Sequence, residues 1–133
     1  LLADTAGKGG NLLLDVGPGP DGTIRPEFTE RLLAMGAWLK VNGDSIYGTT
    51  YGPLQNLSFG RSTRKDKTIY LHVFNWPVDG RLPVDGLTSG VASVHLLAGN
   101  QRLTFHKHGD QLQIEIPRPA PDANDSVLAV ATR

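Results

Sequence analysis

The sequence contains no cysteine. That excludes disulfides and thiolate metal sites, and it leaves the redox compartment open. Neither sign of charge is in excess, since Lys and Arg together number 13, as do Asp and Glu. Such a balance gives no bulk field to draw the chain onto nucleic acid or an anionic membrane, so neither partner is expected. No apolar run approaches the roughly 20 residues that span a bilayer. Leu1-Leu2-Ala3-Asp4 lacks the basic start and long apolar core of a secretory signal. A start methionine is also missing, which reads as an internal piece or a processed product. Gly7-Lys8-Gly9-Gly10 is no phosphate loop: its glycine spacing is wrong and its Lys precedes the last Gly. No cofactor is expected.

What remains is a globular composition, 39% hydrophobic and 20% charged over 133 residues. The length suits one domain, or a small domain with an appendage. The 16 glycines and 9 prolines are spread along the chain, as many short strands with tight turns require.

The most loaded stretch is Gly9-Gly10-Asn11-Leu12-Leu13-Leu14-Asp15-Val16-Gly17-Pro18. An apolar run between turn signals predicts a strand, Asn11 to Val16, buried on both faces. Such strands belong to parallel sheets, whose neighbours arrive through long crossovers. Before it, Leu1 to Thr5 reads as the last turn of a helix. After the Gly17–Gly22 loop, Pro26 opens a helix predicted to run to Val41. Glu27 and Glu30 complement the positive end of its dipole. Phe28, Leu32, Met35 and Leu39 recur at helical spacing as a packing face, widened by Leu33 and Trp38. Leu32→Asp is therefore expected to bury a charge. Asn42-Gly43 is expected to supply a left-handed stop.

Past Tyr47-Gly48 the period changes to two. Strands are predicted from Leu57 to Arg64, Lys67 to Trp76, Leu82 to Val84, Val91 to Leu97, Leu103 to His106, Leu112 to Ile116 and Val127 to Thr132. In the second of these, Ile69, Leu71 and Val73 point one way, and Tyr70, His72, Phe74 and Trp76 the other. Bulk on both faces marks it as central. Strands at this spacing without helices read as an antiparallel sandwich. The chain thus divides into residues 1–47 and 48–133. The second part is large enough to bury its own core; one strand and one helix are not.

The Gly9–Pro18 block, followed by Asp21-Gly22, Ile24 and Pro26, resembles the α-L-fucosidases of glycoside hydrolase family 29. The likeness runs on through Trp38-Leu39, Asn42-Gly43 and Ile46-Tyr47-Gly48-Thr49. Ile69-Tyr70-Leu71-His72-Val73-Phe74-Asn75-Trp76-Pro77 is similar to the first strong strand of that family's C-terminal sandwich. Asp15 departs from the pattern, standing where the family most often has Asn. The resemblance implies a retaining exo-glycosidase acting on terminal α-L-fucose of glycans, with two carboxylates on a (β/α)8-like barrel. Both carboxylates lie upstream of the Gly-Gly-Asn-Leu-Leu-Leu block in this family, and a barrel needs about 250 residues. The fold implied is mainly β: an antiparallel sandwich preceded by one βα unit of an incomplete barrel. No catalytic residue is assigned to this chain. Its expected role is to complete and brace a barrel supplied by the rest of the same protein or by a separate chain. Family members are secreted, periplasmic or lysosomal. A non-catalytic carbohydrate-binding or structural module is the alternative. If no barrel is present, the exposed strand and faces of residues 1–47 favour homo-oligomers or aggregation.

Site candidates are few. Asp15 closes the presumed barrel strand at the end where such barrels build their sites. It either touches the pocket or locks the Gly17–Gly22 loop as an Asx turn, the common use of Asp beside Gly-Pro. Tyr70, Phe74 and Trp76 offer an aromatic platform for sugar stacking, which competes with core packing. Glu27 and Glu30 face the same way, but acids at a helix start are stabilising without catalysis. His106 and His108 alternate onto one face beside a hairpin tip, and a pair without a third ligand is weak evidence for zinc. His72 and His95 fall within strands as satisfied core or interface residues. Arg61, Arg64, Lys65 and Lys67 cluster at a turn, as a solvated hairpin end does. Asn56-Leu57-Ser58 and Asn124-Asp125-Ser126 fit the N-glycosylation pattern.

Overall fold

The computed structural model describes residues 1–87 and 90–133. Among the described residues, a short helix, α1 (Leu2–Gly7), and a long one, α2 (Pro26–Asn42), precede nine strands. These are β1 (Thr50–Tyr51), β2 (Gly60–Lys65), β3 (Thr68–Val73), β4 (Arg81–Asp85), β5 (Val91–Leu96), β6 (Arg102–Leu103), β7 (Phe105–His108), β8 (Gln111–Glu115) and β9 (Ser126–Thr132). They form a six-stranded sheet, β1-β2-β3-β9-β5-β6, and a three-stranded sheet, β4-β8-β7. Every pairing is antiparallel.

Alternation builds the core. Ile69, Leu71 and Val73 of β3 meet Leu128 and Val130 of β9 on the inner face of the large sheet. Leu82, Val84, Leu112 and Ile114 answer from the small sheet. β3 lies between β2 and β9, the central position its two bulky faces require. Its other face is covered as well: Tyr70 and His72 are buried. Gly60 opens β2 where the backbone of β3 passes closest, so that a Cβ there would overlap the carbonyl oxygen of His72.

Helix α2 begins at the expected Pro26, but Gly43 does not stop it. Gly43 is right-handed, φ −58°, and the chain continues as a 3-10 turn, Gly43–Ser45. The left-handed residue is Gly48, φ 70°. The first half of α2 stands clear of the sandwich. Phe28, Leu32 and Leu33 are exposed, while Met35, Trp38 and Leu39 are part-buried towards its C-terminal end. A charge at position 32 would therefore not be buried in this structure.

The largest departure is the Asn11–Val16 run. It carries no regular secondary structure and belongs to no ladder, and Leu13 is 93% exposed. Its nearest regular feature is a single bridge, Pro18 to Ile24, closing the loop between them. A parallel strand takes its partners from crossover units, and the sandwich has none to give. Two smaller corrections concern register. The single strand expected from Leu103 to His106 is two: β6 pairs with β5 in the large sheet, while β7 pairs with β8 in the small one. The predicted strand ending at Trp76 stops at Val73, so Trp76 does not share the outer face of Tyr70. It packs instead against the inner core.

Candidate functional site

A cleft of about 930 Å³ lies between the helices and one end of the large sheet. Met35 and Trp38 of α2 form one wall, Asp4 of α1 and Arg61 of β2 another. Asp122 and Asp125, from the turn before β9, complete it.

Each carboxylate here already has partners. Asp4 accepts from Lys8 Nζ at 2.6 Å and from Arg61 Nε at 2.7 Å. The Lys8 hydrogen bond, with Arg61 behind it, holds the Asp4 carboxyl below the usual value of 3.8. Asp122 Oδ1 accepts the backbone N–H of Asn124 at 2.8 Å and of Asp125 at 3.1 Å, an Asx turn. Asp125 Oδ2 lies 2.9 Å from Nδ1 of the fully buried His72. His72 Nε2 is 3.3 Å from Thr63 Oγ, which donates to the carbonyl of Ser45 at 2.6 Å. From α2, Trp38 Nε1 donates to the Asp125 carbonyl at 2.8 Å. The Trp38 and His72 rings are tilted by 31°, with centroids 6.3 Å apart. Behind them, burial raises the Tyr70 phenol above its usual 10, helped by Asp44 and Asp66. Each of the three cleft carboxylates is engaged on at least one oxygen, while Asp125 Oδ1 is buried with no hydrogen-bond partner among the described residues. The arrangement is that of a joint between a helix and a sheet.

Asp15 is exposed on the unpaired run and makes no hydrogen bond among the described residues. The Asx lock of its loop belongs to Asp21, whose Oδ1 accepts from Thr23 N at 3.1 Å and Thr23 Oγ at 2.8 Å. Those bonds lower the Asp21 carboxyl below 3.8. Trp76 is part-buried and donates Nε1 to the Pro117 carbonyl at 2.9 Å. Phe74 lines the cleft and Tyr70 is buried on the outer face, so the three aromatics form no common platform. Glu27 and Glu30 are exposed at the free end of α2.

The remaining candidates have structural surroundings. His106 Nε2 sits 3.5 Å from Glu115 Oε1, both side chains being more than half exposed. Among the described residues, no group of three His, Cys, Asp or Glu is placed to hold a metal ion. The basic cluster is dispersed: Arg61 goes to Asp4, Arg64 to the Asp66 carbonyl and Lys65 to the Tyr47 carbonyl. Asn56 is exposed in its sequon, whereas Ser126 of the other is buried and bonded both ways to the Asp122 backbone. The linked residues Thr63, His72, Asp125 and Trp38 escape a sequence reading. One signal pointed there: a His on a bulky outer face of a central strand needs partners, and no neighbour in sequence supplies them.

Two family models match the chain: Alpha-L-fucosidase over residues 1–44, and Alpha-L-fucosidase C-terminal domain over residues 55–132. The plasma α-L-fucosidase of Pongo abelii is 37% identical over 127 residues, 88% of this chain and 27% of that protein. The α-L-fucosidase of Branchiostoma floridae is 46% identical over 85 residues, 62% of this chain and 19% of that protein. Among solved structures, α-L-fucosidase isoenzyme 1 from Paenibacillus thiaminolyticus superposes with a TM-score of 0.89 at 31% identity, over 97% of this chain and 32% of that one. A Thermotoga maritima α-fucosidase bound to a mechanism-based inhibitor gives 0.84 at 34%, over 97% and 32%. The chain thus spans about a third or less of the length of these relatives. It belongs to the family 29 α-L-fucosidases, matching the end of their catalytic domain and their C-terminal domain.

Proposed function

We propose that this chain is the bracing part of a retaining, exo-acting α-L-fucosidase, and that the catalytic carboxylates reside in barrel elements other than those it contains. The observation that carries this is the unequal burial of its two parts. Residues 48–133 close a core between two sheets, with Leu71, Leu82, Ile114 and Leu128 fully buried. Residues 1–47 hold an apolar run without a ladder, and a helix whose Phe28, Leu32 and Leu33 face solvent. A barrel wall would pair that run on both edges and cover that face. The partner is accordingly the remainder of the barrel, in the same protein or a separate chain; homo-association is what the uncovered face offers otherwise.

A family relative from Bacteroides thetaiotaomicron has been trapped as a covalent intermediate, which supports retaining chemistry for the assembled enzyme. The substrates would be terminal α-L-fucosyl groups of glycans. Relatives found in plasma support a secreted, periplasmic or lysosomal location. No helix among the described residues is long and apolar enough to cross a membrane. Asp15 is the residue we place nearest the assembled pocket, at the barrel's C-terminal face. No sugar platform is proposed at Trp76, whose indole is committed to Pro117 and the core.

The test uses an aryl α-L-fucoside. The chain alone should give no turnover, and adding a separately produced family 29 barrel that lacks this region should restore it. Turnover by the chain alone, with contaminating enzyme excluded, overturns the proposal.

A further inference from the structure

We propose that His72 and Asp125 share one proton inside the joint between α2 and the sandwich, and that this neutral pair is the positioning element that seats α2. The argument starts at Thr63. A threonine hydroxyl has one hydrogen. At 2.6 Å from the Ser45 carbonyl, a pure acceptor, that hydrogen is spent. Towards His72 Thr63 then offers only a lone pair, so the hydrogen of the 3.3 Å contact sits on Nε2.

A neutral imidazole carries a single N–H. With Nε2 protonated, Nδ1 is bare unless the ring holds a second proton. Yet Nδ1 lies 2.9 Å from Asp125 Oδ2, a spacing two bare acceptors do not keep. A hydrogen therefore lies between them, on the ring or on the carboxyl. Either way the pair contains the same number of protons and no net charge.

A second observation agrees. Asp125 Oδ1 is buried with no hydrogen-bond partner among the described residues, and His72 has no exposed surface. A lone anionic carboxylate would leave that oxygen unanswered in a medium that penalises unpaired charge. Arg61 is the cross-strand neighbour of His72, but its guanidinium is held by Asp4. The same Asp125 receives Trp38 from α2 through its carbonyl, and Trp38 lies against the His72 ring. The pair and the helix are thereby one joint.

The test labels histidine with 15N. The chain has four histidines, and loss of one signal in His72→Gln identifies His72. Solid-state spectra serve if the chain associates. The expected result is a protonated Nε2, with Nδ1 protonated or hydrogen-bonded to an acid. A neutral ring protonated on Nδ1 with a bare Nε2 overturns the assignment. The positioning role is read separately from Trp38 emission in a Trp76→Phe background. Asp125→Asn still donates to a bare Nδ1, so Trp38 should emit as in the parent. Asp125→Ala should shift that emission to the red as α2 loosens. Parent-like emission in Asp125→Ala, or an equal shift in both variants, refutes the positioning role. Should Asp125→Ala fail to fold, the Asn comparison and the 15N spectra still decide.

Discussion

Leu71 and Leu32 occupy apolar positions that a sequence pattern treats alike, and truncating each to Ala should separate them. Leu71 is fully buried on the central strand, between the sheets. Leu→Ala there removes three carbons, about 2.4 kcal/mol of transfer free energy at ~0.8 kcal/mol each. Because β3 is flanked by strands on both sides, the site cannot collapse fully, and the residual cavity brings the cost to about 3–4 kcal/mol. An unfolding entropy of ~2.1 cal/mol/K per residue makes each kcal/mol worth about 3.5 °C for a chain of this size. The melting temperature should fall by about 10–14 °C. Leu32 is 41% exposed on the free half of α2, so Leu32→Ala should stay within about 0.5 kcal/mol, or about 2 °C. The assay is far-ultraviolet circular dichroism during heating, repeated over a range of chain concentrations. A Leu32→Ala loss as large as that of Leu71→Ala, and the same at every concentration, would refute the reasoning: the α2 face would be packed within one molecule. A loss that grows with concentration would instead place a second copy on that face.

Other substitutions probe separate contacts. Gly60→Ala drives a methyl into the His72 carbonyl where β2 meets β3; it should cost about 3 kcal/mol or more, read as a lowered denaturation midpoint in urea. Asp4→Asn removes the tie between α1 and β2. Because the Asp4 carboxyl is held below 3.8, its contribution exists above that value and is lost as pH falls through the folded-state value. Being partly exposed and screened, it should amount to less than about 1 kcal/mol. The parent should therefore melt slightly above Asp4→Asn at about pH 5, with the gap closing towards about pH 2; a gap that widens in acid would show the tie to be absent.

Local chemistry made much of the fold legible. Pro26 fixed where α2 begins, and the alternation of Ile69, Leu71 and Val73 identified a central strand because period two is imposed by the pleat itself. What failed was decided by non-local partners. Leu12, Leu13 and Leu14 carry a buried strand's composition, but a ladder needs neighbours that a local pattern cannot reveal. Phe28 and Leu32 have the spacing of a packing face, yet both are exposed, because the sandwich does not reach that half of α2. Leu103 and Phe105 alternate smoothly, yet Thr104 lies between strands of different sheets. The His72–Asp125 contact spans 53 positions and leaves no periodic trace. Asp125 even sits inside a glycosylation pattern that disguises its use.

Helix α2 is held near one end and free at the other, which makes it a lever. Twelve positions separate Trp38 from Pro26, about 18 Å at ~1.5 Å per residue. A tilt of only about 3° at the Trp38 pivot displaces Pro26, and the Gly17–Arg25 loop joined to it, by about 1 Å. An error of that size in a catalytic assembly can cost about a hundredfold in rate. In an enzyme built with this helix, side chains far from any sugar would thus set tolerances at the sugar's end of the barrel. On the bracing role proposed above, packing at that pivot is what such an appendage would contribute to the reaction.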